Sequence, residues 1–321
     1  MNLNLDRQML WLVEGVVGGL LAASLVGFFL SRTAKSDGAR ATVENLNARI
    51  RAWWIMIGIF SIAMLVGPLG AMLLFAFVSF LALREYVSLI PTIPADHRTL
   101  FWAFFVVTPL QYWLLYRGWY GVASIMIPVY AFLFVPMRLV LSQEVAGFLD
   151  RAARIHWGLM VCVYCISYAP ALLILDIHGY KRQSAKLLLY LVIVVQLSDV
   201  FQYIWGKLLG KRKIAPLVSP NKTWEGFLGG IGSASLLGTS LWWMTPFSPL
   251  QALAISLLIT LLGFAGGLIM SAIKRDRGVK DFGSIIEGHG GILDRVDSIC
   301  FSAPVFFHLT RYFFVTHGRT P

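Results

Sequence analysis

Apolar runs long enough to cross a bilayer recur along this chain, and they constrain its fold more than any other feature. A helix needs about 20 predominantly apolar residues to cross a bilayer core. The stretch from Met9 to Leu30 is the first that qualifies. Its length, and a basic flank reduced to Arg7, read as a true span and not a cleaved leader. Ala52 to Ile90 is long enough for two short spans, broken at Gly67-Pro68-Leu69-Gly70, where proline and glycine interrupt a helix. Leu100 to Tyr116 and Trp119 to Leu141 read as a hairpin of spans turning at Arg117-Gly118. Ile155 to Ile177, Leu187 to Trp205, Trp224 to Met244, Leu250 to Met270 and Ile299 to Val315 complete the set. The expected fold is all-α, a polytopic integral membrane protein of about nine or ten transmembrane helices. Composition agrees: 13% of residues are charged, against roughly 25% in a soluble domain.

The polar segments between spans carry the charge. With the N-terminus outside, the basic loop Ser31 to Arg51, the loops after Ile90 and at Ser142, the Gly206 to Lys222 loop and the polar stretch Ser271 to Ser298 fall on one face. The positive-inside rule makes that face cytoplasmic, and the expected setting is a bacterial cytoplasmic (inner) membrane with the site facing the cytoplasm. Lys181 and Arg182 alone disagree. A net charge of +11 spread over short loops points to anionic headgroups or a phosphorylated substrate and not to nucleic acid. Gly226-x-x-x-Gly230 and Gly263-x-x-x-Gly267 predict close packing that brings their two spans, and the loops beside them, together. Cys162-x-x-Cys165 reads as helix packing, with no partner pair to suggest redox or metal chemistry.

The stretch Ser271 to Ser298, SAIKRDRGVKDFGSIIEGHGGILDRVDS, holds five bases and five acids between apolar runs. Asp294 and Asp297 stand three apart at the start of the last span, so a helix puts both on one face. Asp281 comes from a glycine-bearing loop able to fold back on them. Oxygen ligands beside phosphate suit Mg²⁺; the competing reading is a salt-bridge network with Lys280 and Arg295. Gly288 to Gly291 permit the backbone geometry in which consecutive N–H groups cradle phosphate, Gly290 and Gly291 among them. His289 reads as a phosphate or loop hydrogen-bond partner, with general base a second role. In Ser219-Pro220-Asn221-Lys222-Thr223, Thr223 fits a helix cap, while Ser219, Lys222 and the helix N-terminus fit a polyphosphate. Asp199, inside an apolar span, is costly there unless it faces a cavity or partner.

Ser271, Lys274-Arg275, Lys280-Asp281, Gly283, His289-Gly290-Gly291, Asp294-Arg295 and Asp297 together resemble the signature of the phosphatidate cytidylyltransferases (CDP-diacylglycerol synthases). Ser219 to Gly230 resembles the family's second block, and Asp199, Tyr203, Gly206 and Gly210 its approach. The resemblance runs from about Asp199 to the C-terminus. It implies transfer of a cytidylyl group from CTP to phosphatidic acid, giving CDP-diacylglycerol and pyrophosphate. It also implies Asp281, Asp294 and Asp297 on Mg²⁺ with Asp199 as a further ligand, and Lys222, Lys274, Arg275, Lys280 and Arg295 on the phosphates of CTP or the lipid. The chain departs from the family at Glu287, Gln202 and Gly267; many bacterial members carry an acid at this last position, so no ligand is expected there. Residues 187–321 are then the catalytic region, 52–186 the N-terminal and middle spans, and 1–51 a first span with its basic loop. CTP, phosphatidic acid and the bilayer are the expected partners, with a homodimer as a further candidate. Two other readings stand beside this one: a CTP-dependent kinase of a polyprenol or similar lipid alcohol, and a membrane transporter or lipid-binding protein. The second predicts ionisable residues strung through the spans, whereas here Glu14, Arg138 and Asp199 are the main ones.

Overall fold

The computed structural model describes residues 7–33, 36–180, 183–286 and 290–315, with side chains from Glu14 onward. Lys181, Arg182, Glu287, Gly288 and His289 lie outside the described residues. Among the described residues, ten helices longer than a single turn follow in order: α1 (Arg7–Thr33), α2 (Asp37–Val66), α3 (Pro68–Leu89), α4 (Pro94–Tyr116), α5 (Tyr120–Val140), α6 (Phe148–Ile174), α7 (Ser184–Leu209), α8 (Trp224–Ser240), α9 (Pro249–Asp276) and α10 (Leu293–Phe314). Eight of these, α1 to α7 and α9, are long and apolar enough to cross a membrane. The all-α polytopic architecture expected from the apolar runs is what forms.

The breaks fall where backbone chemistry requires them. Between α2 and α3, Gly67 takes φ +90° and Pro68 opens the next helix. At α9, Ser248 accepts from the Gln251 amide while the Gln251 side chain accepts from the Ser248 amide, a reciprocal cap ahead of Pro249. α4, α5 and α6 each contain a π-helical turn, at Ala103–Val107, Met126–Ala131 and Met160–Cys165. Prolines explain the first two: Pro109 and Pro128 lack an amide and crowd the preceding turn. Thr108 donates to the Ala103 carbonyl through both its backbone N–H and its Oγ1, the latter at 2.8 Å. Cys162 and Cys165 are free thiols within the third π turn, in keeping with a packing role.

Two expected loops are partly structured. The basic segment Ser31 to Arg51 is helical from Asp37 onward, because Ser36 caps it, accepting from the Ala39 amide at 3.2 Å. α2 therefore has 30 residues, about 45 Å at 1.5 Å per residue, against a hydrocarbon core of about 30 Å. It is thus long enough for its basic end to reach beyond the hydrocarbon core. The Gly206 to Lys222 segment is not a plain loop either. α7 continues to Leu209, and a short antiparallel hairpin follows, β1 (Lys213–Ala215) with β2 (Ser219–Thr223).

α10 lies at the centre of the bundle, its Ile299, Ala303, Phe306 and Phe307 buried against α6, α7 and α9. The glycine stripes do allow close approach, but to partners other than each other. Added β-carbons at Gly226 and Gly230 would fall 2.7 Å from the Gln202 carbonyl oxygen and 2.3 Å from Gln202 Cγ, on α7. In the second stripe Gly263 faces Ser302 of α10 and Val195 of α7, and Gly267 faces Lys222, while the neighbouring Gly266 faces Asp297 and Phe301 of α10. α8 and α9 meet instead at Gly238, whose β-carbon would lie 2.5 Å from Ser256 Cβ. The hairpin and the polar stretch after α9 do share one end of the bundle, as expected: Arg275 Nε donates to the Val218 carbonyl at 3.3 Å.

Candidate active site

At that end, four elements converge on a small cluster of charged side chains. Asp199 enters from α7, Asp297 and Ser298 from α10, Lys222 from β2, and Phe264 and Gly267 from α9. Ser298 joins the two acids: its hydroxyl donates to Asp199 Oδ2 at 2.8 Å and its backbone N–H to Asp297 Oδ1 at 2.7 Å. Lys222 stands opposite, within electrostatic reach of both carboxylates, its ammonium 4.6 Å from the Phe264 ring centroid. Burial pushes that ammonium below the usual lysine range, and Asp199 and Asp297 partly oppose the shift. A β-carbon at Gly267 would come to 3.0 Å from Lys222 Nζ. The glycine thus leaves room for a cation where no acid is present. Arg295 belongs to the same field, and its Nε is buried without a hydrogen-bond partner.

Asp294 does a different job. Lys274 Nζ pairs with its Oδ1 at 2.7 Å, and the Phe282 and Gly291 amides donate to its Oδ2 at 2.8 and 3.0 Å. This buried knot ties the polar stretch back onto α9 and α10. Gly290, at φ +82°, crosses close above it, since a β-carbon there would lie 3.0 Å from Asp294 Oδ2 and 3.2 Å from Asp281 Cβ. Asp281 and Lys280 are exposed on the loop. Arg275 is exposed too, its Nη1 donating to the Val279 carbonyl at 2.7 Å.

Of the acids expected around one metal, Asp199 and Asp297 come together, Asp294 is occupied by Lys274 and two amides, and Asp281 stays at the surface. Among the described residues, no three acidic, histidine or cysteine side chains cluster as a ready-made metal cage. Lys274 reaches Asp294 rather than an open phosphate position. Ser219 lies in the hairpin ladder opposite Ala215. Thr223 caps α8, accepting from the Gly226 amide at 3.1 Å, and its side chain also fills the space beside Gly206 and Gly210. His289 lies outside the described residues.

Besides Ser298, two residues at this end escaped the sequence reading. Glu225 accepts from the Lys211 and Arg212 amides at 3.0 and 3.2 Å, folding the basic segment onto α8. Glu85, near the end of α3, is buried, and its two carboxylate oxygens accept from the Ile292 and Leu293 amides at 2.9 and 2.8 Å. A signal for Glu85 was available: an acid within an apolar span is costly without a partner.

Residues 47–313 match the model of the cytidylyltransferase family. An Escherichia coli K12 protein, "Uncharacterized protein YnbB", is 41% identical over 298 residues, 91% of this chain and 95% of that relative. A Bacillus subtilis phosphatidate cytidylyltransferase is 35% identical over 195 residues, covering 60% of this chain and 70% of the relative. A Staphylococcus aureus protein of the same name is 34% identical over 168 residues, 52% of this chain and 61% of the relative. The chain belongs to the cytidylyltransferase family and is a membrane-embedded nucleotidyltransferase.

Proposed function

We propose that this protein transfers the cytidylyl group of CTP to phosphatidic acid, producing CDP-diacylglycerol and pyrophosphate. The observation that carries the reading is the paired Asp199 and Asp297 facing Lys222 at one end of the helical bundle. Phosphatidate cytidylyltransferases among the relatives support the choice of acceptor. An oxygen of the lipid phosphate attacks the α-phosphorus of CTP, and the bond from that phosphorus to the bridging oxygen breaks, releasing pyrophosphate. A phosphate monoester is ionised near neutral pH, so the attacking oxygen needs no general base. Catalysis is then positioning and charge stabilisation.

Mg²⁺ fits this pair, because it is commonly held by one or two carboxylates with substrate phosphates and water completing the shell. Asp199 and Asp297 would hold it, and it would supply neutralisation of phosphate charge. Lys222 and Arg295 hold the reacting phosphates, the buried Nε of Arg295 donating to an oxygen that no protein group supplies. Lys280 and Asp281 meet the nucleotide from the solvent side. Asp294 and Lys274 hold the loop in place. The site lies on the cytoplasmic face, where soluble CTP meets a lipid headgroup.

The test is turnover by the purified protein with phosphatidic acid and Mg²⁺, using CTP labelled either at the α- or at the γ-phosphate. Label from the α-position enters the lipid fraction on this reading. Label entering from the γ-position alone overturns it in favour of a CTP-dependent lipid kinase.

A further inference from the structure

Glu85 belongs to a part of the chain with no motif of its own, 207 positions before its hydrogen-bond partner Ile292. We propose that it is a positioning residue for the transfer reaction, its carboxylate fixing the start of α10 and thereby the placement of Asp297. This inference rests on the reading of α10 as the helix that carries the reacting charge.

The first amides of a helix have no partner within it, and negative charge is favoured at that end. Glu85 meets both needs at once, with one oxygen on each of the Ile292 and Leu293 amides and only 5% of the residue exposed. The surroundings are shaped to admit it. A β-carbon at Gly283 would fall 2.8 Å from Glu85 Oε1, and one at Gly291 only 2.4 Å from Oε2. Two glycines of the polar stretch are therefore small because this carboxylate is there. The glutamate is itself held from behind: the adjacent Tyr86 donates to the Arg154 carbonyl at 3.2 Å, and Gly158 of α6 lies flush against the Tyr86 ring.

The arrangement also closes these amides to substrate. The N–H groups of Gly291, Ile292 and Leu293 are all taken by protein carboxylates, so these three do not hold a phosphate. Glu85 consequently acts on the reaction through geometry. In-line displacement is sensitive to placement, and an error of about 1 Å can cost up to roughly 100-fold in rate.

The test is Glu85→Gln in the full chain, assayed in detergent–lipid micelles with CTP, phosphatidic acid and Mg²⁺. The amide keeps the volume but turns an NH₂ toward a backbone N–H. The expected result is a fall in kcat of about tenfold or more, with KM for both substrates within about twofold. A merely structural role would lower the yield of folded protein and leave turnover per folded molecule unchanged. That result, or a rise in KM at unchanged kcat, overturns the proposal. If the Gln variant does not fold, Glu85→Asp answers the same question, since its carboxylate is drawn back by one methylene; undiminished kcat in folded Glu85→Asp overturns the proposal. A double-mutant cycle gives an independent reading. Gly291→Ala should lower turnover in the wild-type background and cost nothing further beside Glu85→Ala; additive losses count against the proposal. Absence of cytidylyl transfer by the wild type would remove the proposed function and this inference with it. Wild-type transfer with undiminished Glu85→Gln turnover removes this inference alone.

Discussion

Asp294→Asn is expected to act on stability, and the structure sets the size of the effect. Lys274 Nζ and Asp294 Oδ1 are 2.7 Å apart, with side chains 10% and 3% exposed. At an effective dielectric of about 20, two unit charges at that separation attract by roughly 6 kcal/mol. Desolvation of both groups consumes much of this. Removing one partner of such a buried pair costs about 3–5 kcal/mol, since the other charge stays buried and unpaired. At about 1.4 kcal/mol per factor of ten, the folding equilibrium falls by roughly two to three and a half orders of magnitude. Adding Lys274→Met removes the stranded ammonium. What remains is the weakened acceptor for the Phe282 and Gly291 amides, a cost of about 1–3 kcal/mol. The double variant should therefore be more stable than Asp294→Asn alone by roughly 2 kcal/mol. Equilibrium unfolding in mixed micelles, followed by tryptophan fluorescence, measures the difference. A double variant no more stable than Asp294→Asn would refute the reasoning.

Other expectations separate the neighbouring groups. Asp199→Asn and Asp297→Asn should each lower turnover on the order of 100-fold and raise the Mg²⁺ needed for half-maximal rate, at little cost in unfolding midpoint; full activity in either would contradict the proposed metal assignment. Gly267→Ala drives a methyl toward Lys222 Nζ, 3.0 Å away, and the flexible ammonium should yield, raising KM for CTP several-fold with the unfolding temperature held; an unchanged KM would mean that Lys222 does not meet the nucleotide. The depressed Lys222 pKa gives activity an alkaline limb below the ordinary lysine range, visible in a pH–rate profile and absent from Lys222→Met. Its stability effect has the opposite sign: the unfolded state binds this proton more tightly, so unfolding free energy rises as pH climbs from the folded pKa toward the unfolded one.

The spans, the break at Gly67-Pro68 and the shared end of hairpin and polar stretch were legible because hydrophobic length and helix breakers are local signals. The α2 extension was missed because mixed charge hid the cap at Ser36, and the hairpin because five residues of Ser-Pro-Asn-Lys-Thr look like a loop. Asp199 and Asp297 could each be picked out as candidates, yet their pairing through Ser298 depends on the approach of α7 to α10. Spacing alone grouped Asp294 with Asp297, although a helix face that carries both leaves one beside Lys274 and the other beside Ser298. The glycines were read as a cradle for phosphate. Gly291 owes its small size to Glu85, a partner no local pattern could reveal.

That long-range bond also bears on how the molecule is made. Ribosomes deliver α3 long before α10, so Glu85 is synthesised into a chain that lacks the amides it will bind. The carboxylate meets these amides only once α10 has docked. Pairing across such a sequence separation pays its loop-closure entropy before contacts reward it. The N-terminal spans thus supply one of the groups that hold the start of α10.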